Sequence, residues 1–220
     1  AKADAVVRAE RHIFAAIGLN PEPNFFEPRL VEGYEDGNRF RVDEAIGVLS
    51  VIRKDLSEAR SPDERKRAGQ QACLFLLIYG GGLRVSEALS AQRSRLSMDR
   101  AALCVLGKGG LERWVSIPRN ILLEVERLSE HPYLIGGETP LAYPFALKLF
   151  KELGHKAGLL RPLKPHALRH SYATHLLSSG VNLRTLQCLL GHQTLQSTQK
   201  YTHLDLEHLT QVMNAKHPLK

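Results

Sequence analysis

The run Ala72-Cys73-Leu74-Phe75-Leu76-Leu77-Ile78-Tyr79 is the longest apolar stretch of the chain, and Gly80-Gly81-Gly82 stops it. It falls far short of the roughly 18 consecutive apolar residues of a membrane span, so it must be buried inside a protein core. Upstream, Ser61-Pro62 has the form of a helix start, with serine as N-cap and proline at the first helical position. The pattern predicts a helix that enters the core and breaks at the glycines. Leu83 and Arg84 follow at once, so a permanent charge sits at the end of a deeply apolar element.

The flanking sequence supports a compact chain. Hydrophobic residues make up 43% and charged residues 24% of the 220, which excludes a largely disordered chain and favours one domain, or one domain plus a fragment of another. Residues 3–17 read as a helix with Val6, Ile13, Phe14 and Ile17 on one stripe and Gly18 as its stop. Residues 19–41, with Pro21, Pro23 and Pro28, read as an extended linker. From Val42 the pattern is regular. Asp43 can cap a helix carrying Ile46, Leu49, Ile52 and Leu56, and a short helix runs from Arg84 to Ser90.

Ala101–Gly107 and Glu112–Ile117 alternate like strands around Lys108-Gly109-Gly110, which predicts a β-hairpin. Helices are then expected at Asn120–Leu128, Pro144–Ala157, Pro165–Ser179, Asn182–Leu190 and Leu195–Tyr201. A last amphipathic segment carries Leu204, Leu206, Leu209 and Val212. The expected fold class is mainly α with a small β-sheet, an α+β chain. No G-x-G-x-x-G or Walker-type loop offers a nucleotide cradle, so no cofactor is expected.

Net charge is +7, with ten further histidines and a pI near 9.5. Such a balance fits a polyanion such as nucleic acid, and equally a solvated cationic face. Cys73, Cys104 and Cys188 are odd in number and lack a C-x-x-C pair, which argues for reduced thiols rather than a disulfide frame or a cysteine zinc site. The opening Ala1-Lys2-Ala3-Asp4 shows neither an initiator Met nor an apolar signal segment. A cytoplasmic location, and a chain cut from something longer, are the expectations.

The chemistry lies in polar residues beside the helix breaks. Arg84 has Glu87 one turn on, and Lys108 sits at the hairpin tip. His166 and Arg169 are three apart on one helical face, His192 follows Gly191, and Tyr201 lies nine residues further. Singly, each has an ordinary reading: a surface ion pair, a loop lysine, a helix cap, a half-buried tyrosine. Together they suit attack on a phosphodiester. Guanidinium forks match the charge spread over the nonbridging oxygens. A tyrosine can form a covalent phosphoryl intermediate if a base takes its proton, histidine can accept that proton, and lysine can donate one to the departing hydroxyl. No carboxylate cluster of metal-binding type accompanies them, so no metal is expected.

The stretches Gly82-Leu83-Arg84-Val85-Ser86-Glu87, Gly107-Lys108-Gly109, His166-Ala167-Leu168-Arg169-His170, Leu190-Gly191-His192 and Ser197-Thr198-Gln199-Lys200-Tyr201-Thr202-His203 together resemble the catalytic domain of the tyrosine recombinases, the phage-integrase family. The Xer-like branch is nearest in wording, through Tyr172-Ala173-Thr174-His175-Leu176-Leu177 and the run 201–205. The resemblance covers about residues 42–212 and implies that catalytic-domain fold.

It also implies a site-specific recombinase or integrase that cuts and rejoins double-stranded DNA through a Holliday junction, without metal or ATP. Tyr201 would attack a DNA phosphate to leave a 3′-phosphotyrosine, and Arg84 and Arg169 would clamp that phosphate. His166 would assist proton transfer, His192 would bond the phosphate, Lys108 would protonate the leaving 5′-oxygen, and Glu87 would support the first arginine. A homo- or hetero-tetramer on DNA is implied, with the C-terminal helix 205–213 docking on a neighbouring protomer; the same amphipathic segment can instead close its own core. The resemblance also implies no membrane partner and a cytoplasmic location, at the nucleoid when bound to DNA. In family terms, residues 1–18 would be the last helix of a truncated core-binding domain, 19–41 the linker, and 42–220 the catalytic domain.

Where many relatives carry a second basic residue after the hairpin Gly-Lys-Gly, this chain has Leu111, and Arg113 remains. Three rivals stay open: a DNA-binding module of the same fold without catalysis, a type IB-like nicking and resealing enzyme, and a metal-dependent nuclease using His166 with His170. The recombinase reading makes a geometric demand. Arg84, Lys108, His166, Arg169 and His192 must converge on one face that Tyr201 can reach.

Overall fold

The computed structural model describes residues 40–107, 110–179, 181, 183–190 and 211–217. The expected helix at 3–17, nearly all of the linker 19–41, the helix at Leu195–Tyr201 and the hairpin tip lie outside the described residues.

Helix α1 (Val42–Glu58) begins where the Glu44 carboxylate accepts the Arg41 N–H at 2.7 Å, and it buries Ala45, Ile46, Val48, Leu49 and Ile52. Helix α2 (Pro62–Phe75) has the expected cap. Ser61 Oγ accepts the Glu64 N–H at 3.2 Å while the Glu64 carboxylate accepts the Ser61 N–H at 3.2 Å. Its first turns are exposed, and from Gln71 to Leu83 every residue is buried.

The helix does not stop at the glycines as a plain α-helix. Leu76–Gly80 is a π-turn, with the Gly81 N–H reaching back to the Leu76 carbonyl at 3.0 Å. This widened turn carries the chain into Gly82, at φ +64. A side chain there would sit 2.3 Å from the Tyr172 ring, so glycine is required by both backbone and space.

Helix α3 (Val85–Leu89) follows, then a 3₁₀ turn at Arg93–Arg95 and a three-stranded antiparallel sheet in the order β1-β2-β3. The hairpin is β2 (Ala102–Leu106) against β3 (Glu112–Ser116), pairing Leu103 with Val115 and Val105 with Arg113. The strand β1 (Leu96–Ser97) was not expected, because two residues carry no readable alternation.

Helices α4 (Arg119–Leu128), α5 (Tyr143–Lys156), α6 (Pro165–Ser178) and α7 (Leu183–Leu190) start and end within a residue or so of the expected bounds. A short helix α8 spans residues 211–216. α4 and α5 pack on α2, and α6 packs on the π-turn.

The apolar run is the centre of one continuous core. Phe75 and Tyr79 are fully buried, with Phe40 against both rings and the Phe40 N–H bonded to Ser171 Oγ at 2.9 Å. Tyr79 Oη meets His175 Nδ1 at 2.9 Å, tying the π-turn to α6. Burying each such side chain contributes on the order of 1.5–3 kcal/mol. Cys73 is buried, which pushes its thiol up to about 12, and among the described residues Cys73 and Cys104 are both free thiols. Of the segment 205–213, the described part packs on this chain's own core: Met213 is fully buried and its sulfur accepts the Tyr172 hydroxyl at 3.3 Å. Among the described residues no helix is long and apolar enough to cross a membrane.

Candidate functional site

The glycine turn ends at the N-terminus of α3, and the polar residues singled out from sequence gather there. Arg84 is the N-cap of that helix. Glu87 accepts the Arg84 backbone N–H at 2.8 Å on one oxygen and Arg84 Nη1 at 2.9 Å on the other. The pair is not a surface ion pair. The Glu87 side chain is 1% exposed, while Arg84 keeps 45% of its side chain in solvent. One side of the guanidinium is therefore held and the other is presented.

A second arginine grips the same carboxylate. Arg113 Nη2 donates to both Glu87 oxygens, at 3.1 and 3.0 Å. Burial would push the Glu87 pKa up, but the Arg113 charge and the bonds from both arginines more than reverse this. The carboxyl is held below its usual range.

Arg169 arrives from α6. Its Nη1 donates to the Gly82 carbonyl and its Nη2 to the Leu190 carbonyl at 2.8 Å, so it bridges the glycine turn and the last residue of α7. That second acceptor is the negative end of a helix, a favourable seat for a cation. Burial and the neighbouring Arg84 lower its pKa to about 10, with Glu87 opposing, and it stays charged at neutral pH. Arg84 and Arg169 thus meet at one turn, and the two guanidiniums of Arg84 and Arg113 hold the single Glu87 carboxylate.

His166, one turn before Arg169 on α6, is exposed. Lys108, His192 and Tyr201 lie outside the described residues. The frame around Lys108 is described: the Gly107 N–H bonds the Leu111 carbonyl at 2.8 Å, and Gly110 takes φ +75. Among the described residues no group of three or more His, Cys, Asp or Glu could hold a metal ion, so the pair His166 and His170 finds no third ligand there.

Arg113 is the residue whose use was not read from sequence. It was noted only as the basic residue left in the hairpin. The strand alternation carried the signal, because Arg113 shares a face with the buried Val115 and so points inward.

The fold is that of known recombinases. The chain superposes on the crystal structure of XerA recombinase with a TM-score of 0.59 at 21% identity, covering 96% of this chain and 76% of that one. It superposes on XerH site-specific recombinase, solved bound to its difH substrate, with a TM-score of 0.59 at 20% identity, covering 91% and 57% of the two chains. In sequence it is 41% identical over 161 residues to tyrosine recombinase XerC of Escherichia coli O157:H7, covering 69% of this chain and 54% of that protein. The chain spans about half the length of the curated relatives it matches. Residues 54–208 match the phage integrase family, well over half of the chain, and the chain belongs to that family.

Proposed function

We propose that this chain is the catalytic part of a site-specific DNA recombinase that cuts and rejoins strands through a 3′-phosphotyrosine. The observation that carries the reading is the meeting of Arg84 and Arg169 at the Gly82 turn, with Glu87 holding one face of Arg84. Two always-charged forks at one point suit a phosphodiester whose nonbridging oxygens gain charge in the transition state.

In this reading Tyr201 supplies the nucleophile, and its hydroxyl gives up its proton with help from His166. His192 bonds the phosphate, and Lys108 protonates the leaving 5′-oxygen. The phosphotyrosine keeps the bond energy, so rejoining needs no ATP, and the arginines stabilise charge without a metal. Double-stranded DNA is the substrate. The active assembly is a tetramer on two sites, passing through a Holliday junction, in which segment 205–213 docks between protomers through residues other than Met213, which stays in its own chain's core. Residues 1–18 belong to a core-binding domain joined by 19–41, in a cytoplasmic protein.

The test is a covalent trap. The chain is incubated in EDTA at low salt with nicked duplexes from a random-sequence pool, so that the cleaved fragment diffuses away and the adduct cannot reverse. An SDS-resistant adduct mapping to Tyr201, and lost in Tyr201→Phe, is expected. A longer chain carrying the preceding domain that binds DNA yet forms no adduct would make the fold a non-catalytic DNA-binding module.

A further inference from the structure

We propose that Arg113 is a positioning residue for strand cleavage: gripping Glu87 from the hairpin, it fixes the orientation in which the Arg84 guanidinium is presented. This rests on the reading of Arg84 as a phosphate clamp.

The placement argues against a contact made by Arg113 with DNA. Its side chain is 11% exposed and sits opposite Val105 on the inner face of the sheet, beside Leu103 and Val115, which are buried. An aliphatic residue would complete that face at no electrostatic cost. Arg113 instead buries a charge, and its Nε–H is buried without a partner among the described residues. What it gains is Glu87, on both oxygens.

The bonds form one relay: β3 holds Arg113, Arg113 holds Glu87, and Glu87 holds both the backbone N–H and the side chain of Arg84. A carboxylate with one arginine could swing with it. A carboxylate gripped from two elements cannot, so the Arg84 fork is set by the hairpin as well as by its own helix. The charged groups facing Glu87 are Arg84 from its own helix, Arg113 from β3 and Arg169 from α6. Without Arg113 the lowering that its charge and bonds supply is lost, and Glu87 takes up a proton more readily. A neutral carboxyl then grips Arg84 less well.

The experiment measures adduct formation on nicked DNA at saturating DNA, and DNA affinity separately, from pH 5.5 to 8.5. Arg113→Gln is expected to slow cleavage about tenfold at neutral pH while affinity changes less than about threefold. Toward the acid end of this range its rate falls more steeply than that of the wild type, and adding Glu87→Gln removes that excess fall. Arg113→Lys keeps the charge but loses the two-oxygen grip, so it sits a few-fold below wild type with a pH profile parallel to the wild type's.

Arg113→Gln cleaving at the wild-type rate across this range, or a loss equal at every pH and unrelieved by lysine, overturns the proposal. If the glutamine variant does not fold, Arg113→Lys at the wild-type rate overturns it. If the wild type forms no Tyr201-dependent adduct, the recombinase reading falls on its own. The relay is then decided by titrating the ¹³C-labelled Glu87 carboxyl: an upward shift in Arg113→Gln supports it, and identical titrations overturn it.

Discussion

Two titratable groups are buried on the same glycine turn, and they end in opposite charge states. Glu87 is 1% exposed and charged, gripped by Arg84 and Arg113. His217 is fully buried at the end of α8, with its Nε2 at 2.6 Å from the Gly80 carbonyl and its ring 5.7 Å from that of Tyr172. Burial pushes the His217 imidazole down to about 3, only partly offset by the Gly80 carbonyl, so it is neutral at neutral pH. Both side chains are almost closed off from solvent, and their partners differ. Two guanidiniums outweigh the desolvation of a carboxylate, whereas the Gly80 carbonyl does not outweigh that of an imidazolium. The charged seat faces the proposed phosphate, and the neutral one closes the core under the C-terminal helix.

The largest effect expected on this contrast comes from Glu87→Gln. It leaves two guanidiniums without their carboxylate and should cost about 3–5 kcal/mol in urea unfolding at pH 7. The folded pKa of Glu87 is depressed, so its contribution is present above the unfolded value near 4.3 and is lost as pH falls through the folded one. The gap between variant and wild type should therefore close on acidification. A cost under about 1 kcal/mol would break the contrast, because Glu87 would then not need its charge.

The neutral seat gives the next largest effect, with the opposite requirement. The folded His217 excludes a proton that the unfolded chain accepts below about pH 6.5, so stability falls with pH from there toward 3. By pH 5 the loss is about 2 kcal/mol for this group. His217→Gln should remove that slope between pH 7.5 and 5, measured as the difference in unfolding free energy at the two pH values. A slope unchanged in the variant would assign the acid sensitivity elsewhere.

The smallest effect sharpens the role of burial. Arg67 binds both oxygens of the Glu152 carboxylate, through Nε at 2.9 Å and through Nη2, but the side chains are 41% and 31% exposed. Arg67→Gln should cost under about 1 kcal/mol and less in high salt, by the same unfolding measurement. A cost rivalling that of Glu87→Gln would mean that bond geometry, rather than burial, sets the energy of these pairs.

Much of the fold was legible because its signals are local. The Ser61-Pro62 cap, the apolar run, the Gly-rich turn between alternating strands, and the helices from Asn120 onward each depend on neighbours within a few residues. The two-residue β1 was not legible, nor was the π-turn that feeds Gly82, since both arise from what packs against them. Of the site, Arg84, Glu87, His166 and Arg169 stand out by spacing, while Arg113 by spacing alone reads as a hairpin cation.

Which chemistry is present, and on which elements, follows from capping, periodicity and residue type, which act along the chain. That Glu87 is charged and His217 neutral, that Arg113 turns inward, and that Arg169 bridges Gly82 to Leu190 come from packing in three dimensions. Those outcomes depend on desolvation and on partners as far as 137 positions away in sequence, as with His217 and Gly80.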